Sequence, residues 1–247
     1  MYYDSYLCRW IYRGGFELEG RDFVNAFLEP GDIFVDVGAN MGLYSLIAGH
    51  CVGNSGKVFA FEPYSITYKR LCENVSLNNF ENVSTFKLAL SDRNGIFPFQ
   101  ISTEGYDAWN SFAKPIEGRS FDVENVQCMR WDVFASEQDL IGRVALMKID
   151  VEGWETRVLK GGSNVFSRKD APVLCVEFAD LAARSAESSC SELYKALSDY
   201  GYQMFVYDRL NRRIIPDPPR EEYEYANLMA SKNPADVHRR IGKSQHL

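Results

Sequence analysis

Short apolar runs recur along the chain, separated by longer stretches whose apolar positions return at helical spacing, the pattern of strands joined by crossover helices. The runs at 33–36, 57–62, 82–90, 144–150 and 172–178 predict five strands, and 202–207 and 225–229 two closing ones. Helices are predicted over 42–50, 65–78 and 191–200. The strand runs are continuously apolar instead of alternating, which marks strands covered on both faces and a mostly parallel sheet between helical layers. Pro30-Gly31-Asp32 announces the first strand and Pro63 stops the second.

The segment 91–142 breaks this alternation. It carries hairpin segments at 96–101 and 126–130 and a polar, aromatic stretch with Tyr106, Trp109 and Phe112. Insertions of this length in a compact domain usually bind something, so it is expected to form a substrate cap. One domain is expected over 1–230, with an N-terminal cap or helical region at 1–30, the inserted cap at 91–142, and a C-terminal tail at 231–247.

Between the first strand and its helix stands Asp36-Val37-Gly38-Ala39-Asn40-Met41-Gly42. Glycines at both ends let backbone approach a ligand closely, and the amides of the helix start are expected to face a carboxylate. The dinucleotide fingerprint needs a middle glycine to admit a pyrophosphate. Ala39, Asn40 and Met41 stand there instead, so a ligand without pyrophosphate fits better, and S-adenosylmethionine is one. Glu62 follows Gly38 by 24 residues, near the position of a carboxylate that accepts from ribose hydroxyls. Asp36 ends its strand where ligands of open α/β sheets collect, as a ligand contact, a loop brace, or both. Ala89, Leu90 and Ser91, after the third strand, occupy the place of an adenine, against the alternative of a plain turn.

A second cluster, Lys148, Asp150 and Glu152, crowds the end of the fourth strand at the sheet's switch point. Alternation places Lys148 and Asp150 on one face. One acid suffices to cap the helix starting near Gly153, which leaves a lysine in an apolar strand unexplained. These three are therefore the candidate catalytic residues. Either acid can accept a proton from a hydroxyl acceptor, or Asp150 can hold a cofactor ammonium while Glu152 faces the acceptor, with Lys148 orienting the acid. His50, His238 and His246 are scattered and spacing assembles no all-oxygen set, so no metal is expected.

Composition narrows the partners. A net charge of −7 over 247 residues argues against a nucleic-acid partner. The basic cluster Lys232, Arg239, Arg240 and Lys243 reads as a solvated terminus. Six cysteines without a Cys-x-x-Cys pair read as buried thiols of a reduced compartment. No run approaches a membrane span, and a cytoplasmic protein acting on a small-molecule or glycan hydroxyl is expected.

The segments 31–45, 58–63, 89–92, 148–153, 155 with 158–161, 176–177 and 225–230 together resemble the FkbM-type methyltransferases, and Lys148-Ile149-Asp150-Val151-Glu152-Gly153 is the most specific of them. The resemblance implies an α/β class I methyltransferase Rossmann-like fold: a mostly parallel seven-stranded sheet with an antiparallel last strand, helices on both faces and the cap inserted between strands three and four. It also implies S-adenosyl-L-methionine as cofactor and O-methylation of a sugar, glycan or secondary-metabolite hydroxyl. Carried over by position, Asp36, Gly38, Asn40, Gly42 and Glu62 are cofactor contacts and Asp150 and Glu152 the active-site acids; Ala39, between two of these contacts, is a further candidate for cofactor binding. The alternatives are N-methylation, whose usual Asn/Asp-Pro-Pro-Tyr motif is absent, a nicotinamide-dependent oxidoreductase, and a non-catalytic cofactor-binding module.

Overall fold

The computed structural model describes residues 5–103, 110–113 and 120–243, so Tyr106 and Trp109 lie outside the described residues. The sheet is built on five parallel strands: β1 (Ile33–Val37), β2 (Lys57–Phe61), β3 (Val83–Phe86), β7 (Leu146–Ile149) and β8 (Val173–Phe178). Three more, β9 (Gln203–Asp208), β10 (Arg213–Pro216) and β11 (Ala226–Ser231), complete the order β10-β9-β11-β8-β7-β1-β2-β3. β11 lies antiparallel to both β8 and β9, as the resemblance implied. The sheet therefore has eight strands where seven were expected. The extra one, β10, buries only Ile214 and ends in Pro216, and an edge strand with so little apolar content leaves no run to read.

Helices cover both faces because side chains alternate along each strand. Phe34 of β1 and Val58 and Ala60 of β2 pack with α2 (Leu18–Phe27), α3 (Leu43–Val52) and α4 (Ser65–Leu77) in a core that includes Phe23, Phe27, Tyr44 and Leu71. Val35, Val37, Phe59 and Phe61 face the opposite way, toward Trp131 and Phe134 of α5 (Trp131–Glu137), Leu159 of α6 (Glu155–Gly161), Phe166 of α7 (Ser163–Phe166) and Leu193 of α9 (Cys190–Asp199). The register sets Asp36 beside Lys148, and Lys148 beside Cys175, on the α3 face.

Two expectations need correction. The run at 82–90 is two strands: β3 stays in the main sheet, and after Leu88 donates back to Phe86 O the chain enters β4 (Ala89–Leu90) in a second, three-stranded sheet. That sheet holds most of the insertion, with β5 (Gly95–Ser102) antiparallel to β6 (Phe121–Met129) and β4 parallel to β6. Both strands bury apolar residues, Val83 in β3 and Ala89 and Leu90 in β4, so burial alone does not show the break. The segment after 231 is likewise no frayed tail through residue 243. It forms α10 (Pro234–Ile241), capped by Asn233, with Val237 and Ile241 buried against the α2 core. Its cations are partnered: Arg240 reaches Asp32 at 2.6 Å, Lys243 reaches Glu29 at 2.5 Å, and Lys232 donates to Phe166 O and Arg168 O. No helix among the described residues is long and apolar enough to cross a membrane.

The loops beyond β8 are tied by one buried acid. Asp180, at the start of α8 (Asp180–Ser185), accepts from the amides of Tyr223 and Cys190 at 2.8 and 3.2 Å. Burial pushes its carboxyl up, but those amides and Arg184 bring it below the usual range. A depressed carboxyl contributes stability at neutral pH that is lost as the pH falls through its folded value. Asp180→Asn is expected to cost about 1–2 kcal/mol at neutral pH in urea unfolding, with the deficit shrinking below about pH 4. A deficit that does not change with pH would assign the effect to packing.

Candidate active site

The C-terminal ends of β1, β2, β7 and β8 open into one cavity of about 450 Å³. The loop after β1 forms one wall. Gly38 and Gly42 both have positive φ, +83° and +96°, which glycine adopts without strain. A Cβ on Gly38 would stand 1.8 Å from the carbonyl oxygen of Asp150, so here it is the neighbouring strand's backbone that requires glycine. The loop amides are spent inside the protein. Gly38 and Ala39 donate to Phe61 O, Asn40 to Glu62 Oε2, Met41 to the Asn40 side chain and Gly42 to Ala39 O. The amides from Gly38 to Gly42 are thus used within the protein, and the loop presents its backbone edge to the cavity.

Glu62 also accepts from Tyr64 N and Thr67 Oγ1 at 3.0 and 2.7 Å, so this buried carboxylate braces the loop while lining the cavity. Asp36 combines the two roles weighed for it. Its Oδ2 accepts from Ser45 Oγ at 2.6 Å, while Oδ1, shielded from solvent, has no partner. Burial raises the Asp36 carboxyl, with Lys148 and Ser45 opposing. Leu88, Ala89 and Leu90 supply an apolar strip. Ser91, expected beside them, is not in the lining: its Oγ accepts from Trp154 Nε1 at 3.0 Å, and Asp92 pairs with Arg157.

Lys148 is 3% exposed, bonds Asp150 Oδ2 and lies 4.4 Å from the centre of the Tyr44 ring. Burial alone would depress its ammonium, but Asp150, Glu17 and Asp36 hold it above its ordinary value, so it stays charged. Neither Asp150 nor Glu152 caps α6. Glu155 does that service for the loop, accepting from Val151 N and Gly153 N at 3.0 and 3.2 Å. Burial raises the Glu155 carboxyl to about 7 against those amides. Asp150 and Glu152 are thereby left to the cavity, Glu152 on a left-handed residue with φ 53° ahead of Gly153. Desolvation, then Asp150 and Glu155, raise the Glu152 carboxyl well above the carboxylate range.

Sequence reasoning missed Glu177. It is the penultimate residue of β8, and the register Lys148↔Cys175 and Ile149↔Val176, continued one residue, sets it beside Asp150. Its signal was a single acid inside an otherwise apolar strand. Spacing assembled no all-oxygen cluster, yet the fold brings oxygens of Asp150, Glu152 and Glu177 within 4.8 Å of one another. The other cavity wall was also unexpected: Trp10 of α1 (Tyr6–Arg13), Phe16 and Glu17 from the N-terminal region, with Glu224 and Tyr225. Tyr225 donates to Glu17 Oε1 at 2.6 Å, closing this side. The insertion contributes Ser111 and Phe112, anchored by Ser111 Oγ donating to Glu152 O at 2.7 Å and by Phe112 against Trp154, 5.2 Å between ring centres. Among the described lining residues Glu17, Asp36, Glu62, Asp150, Glu152, Glu177 and Glu224 are acidic and Lys148 is the one cation, so the cavity suits a cationic ligand.

Residues 36–204 match the family model described as the methyltransferase FkbM domain. The chain is 32% identical over 136 residues to the hexuronic acid methyltransferase AglP of Haloferax volcanii, covering 55% of this chain and 52% of that protein. It is 28% identical over 148 residues to Methyltransferase 1 of Beauveria bassiana, covering 53% of this chain and 59% of that one. The aligned region spans little more than half the length of these curated relatives. Among solved structures, a methyltransferase FkbM from Methylobacillus flagellatus superposes with a TM-score of 0.48 at 15% identity, covering 85% of this chain and 50% of that one.

Proposed function

Because the chain belongs to the methyltransferase FkbM family, we propose that it transfers a methyl group from S-adenosylmethionine to a hydroxyl of a sugar or similar small molecule. The observation that carries this reading is that Asp150 and Glu152 open onto the same cavity as Asp36, Gly38 and Glu62. Acids for a hydroxyl and a wall for a nucleoside thus stand within one chamber. The hexuronic acid specificity named for the Haloferax relative supports a sugar acceptor.

The wall fits the cofactor in kind. The partnerless Oδ1 of Asp36 suits an ammonium, the Glu62 carboxylate suits ribose hydroxyls, and Leu88 to Leu90 suit an adenine, while the acidic lining suits a ligand with two positive centres. Gly38, Ala39, Asn40 and Gly42 shape the loop that receives it. When bound, the cofactor supplies an electrophilic methyl on a sulfonium. The chain's task is to hold an acceptor oxygen in line with that carbon and to take its proton. Lys148 occupies one oxygen of Asp150 and fixes its direction, so Asp150 orients the acceptor hydroxyl and Glu152 accepts its proton. Ser111 and Phe112 hold the Glu152 loop in place from the insertion.

The test is an acceptor screen with radiolabelled methyl donor on neutral sugars, uronic acids, glycans and small metabolites. A methyl ether is the expected product; label transferred to nitrogen would overturn the oxygen assignment. On the acceptor found, Glu152→Gln is expected to lower kcat about 10²- to 10⁴-fold, the range of general-base loss. Cofactor affinity by calorimetry should stay within a few-fold; a variant that loses cofactor binding in proportion would move Glu152 out of the proton-accepting role.

A further inference from the structure

The end of the cavity formed by β7 and β8 holds more negative charge than methyl transfer alone explains. Asp150 and Glu152, in the loop after β7, and Glu177 of β8 bring carboxylate oxygens within 4.8 Å of one another. Two oxygens on opposite sides of one ion stand about 4–5 Å apart when metal–oxygen distances are about 2.1–2.6 Å, so the three fit around a single hard cation. Proximity of acids is no site by itself, and the second observation is Glu177. It is 5% exposed, and its Oε2 is fully shielded with no hydrogen-bond partner, although the side chain lines the cavity beside the other two acids. A buried carboxylate oxygen left without a donor is costly unless something positive meets it. Lys148 does not serve, since its bond is to Asp150 Oδ2.

We propose that Asp150, Glu152 and Glu177 bind one divalent cation of the Mg²⁺, Mn²⁺ or Ca²⁺ class, each through one carboxylate oxygen. All-oxygen donors suit hard ions of this class. The second oxygen of Asp150 remains with Lys148, and that of Glu152 remains for the acceptor proton. The ion would supply Lewis-acid polarisation of an acceptor hydroxyl at this end of the cavity. This role rests on the acids marking the reactive end, whereas binding of the ion does not.

The experiment is Mn²⁺ titration of the chelator-treated full chain, following the loss of the free-ion signal by electron paramagnetic resonance, with and without S-adenosylmethionine. One Mn²⁺ per chain is expected, displaced by Mg²⁺ or Ca²⁺ and retained with the cofactor present. Glu177→Gln is expected to weaken it at least about tenfold, with circular dichroism as a folding check. Glu152→Gln, at a half-buried position, repeats the test if the first variant folds poorly. No bound Mn²⁺ at about 1 mM, where even weak oxygen sites fill, would overturn the proposal. So would unchanged affinity in both variants, or full displacement by S-adenosylmethionine, which would make the triad the seat of the cofactor's ammonium. Calorimetry of cofactor binding in metal-free buffer reads the functional assignment separately.

Discussion

Gly38→Val is expected to abolish S-adenosylmethionine binding and to destabilise the protein by at least about 3 kcal/mol, among the largest effects of any single change. Two costs add. The residue has φ +83°, where a β-branched side chain is strained, and a Cβ would stand 1.8 Å from Asp150 O. The clash cannot be relieved locally, because that carbonyl belongs to the turn whose Asp150 amide donates to Val37 O at 3.1 Å. Pushing the turn away would part β1 from β7 at the point where the cofactor wall meets the acids. Gly38→Ala should therefore show most of the effect. Gly42→Ala is expected to be milder, since its Cβ would meet the end of a flexible side chain, Leu71 Cδ1 at 2.7 Å, leaving mainly about 1–2 kcal/mol of backbone strain. Urea unfolding and calorimetry measure both; Gly38→Val binding the cofactor as the parent does would remove this loop from the cofactor site.

Lys148→Met is the second large effect, expected to cost about 3–5 kcal/mol because it strands Asp150 and the neighbouring Asp36 without their countercharge. Lys148 is 3% exposed and sits between those acids and the Tyr44 ring, so water does not replace it. Asp150→Asn alone should also destabilise, leaving a buried ammonium with Glu17 and Asp36 as the remaining acids that act on it. The double variant Lys148→Met with Asp150→Asn is expected to cost clearly less than the two single losses together, the mark of a direct pair. Additive losses in urea unfolding would mean that the lysine contributes through packing, not through charge.

The features legible along the chain are those carried by neighbouring residues. Strand β1 and its glycine loop, the acid closing β2 and the Lys148-Asp150-Glu152 block follow from runs and spacings of a few residues, and the hydrophobic period reflects which side of a strand is buried. Expectations failed where burial does not distinguish partners. The run at 82–90 buries Val83 at one end and Leu88 to Leu90 at the other, yet divides between two sheets. The basic segment after Ser231 carries apolar positions only at Val237 and Ile241 along one helix face, and its charges, which suggested solvent, find Asp32 and Glu29 instead. Ser91 sits next in sequence to the apolar strip but accepts from Trp154, a contact between residues 63 apart that no local pattern announces.

Local pattern was thus enough for the order of elements, the cofactor loop and two of the acids, since each is written in contiguous residues. Bringing Glu177 to Asp150 and Glu152, closing the cavity with Trp10, Phe16 and Glu17, and making Gly38 answer to the backbone of Asp150 belong to the assembled sheet alone. The reason is that register and packing join residues far apart in the chain, and those distances are set by which strands pair, a choice that no short window of sequence contains.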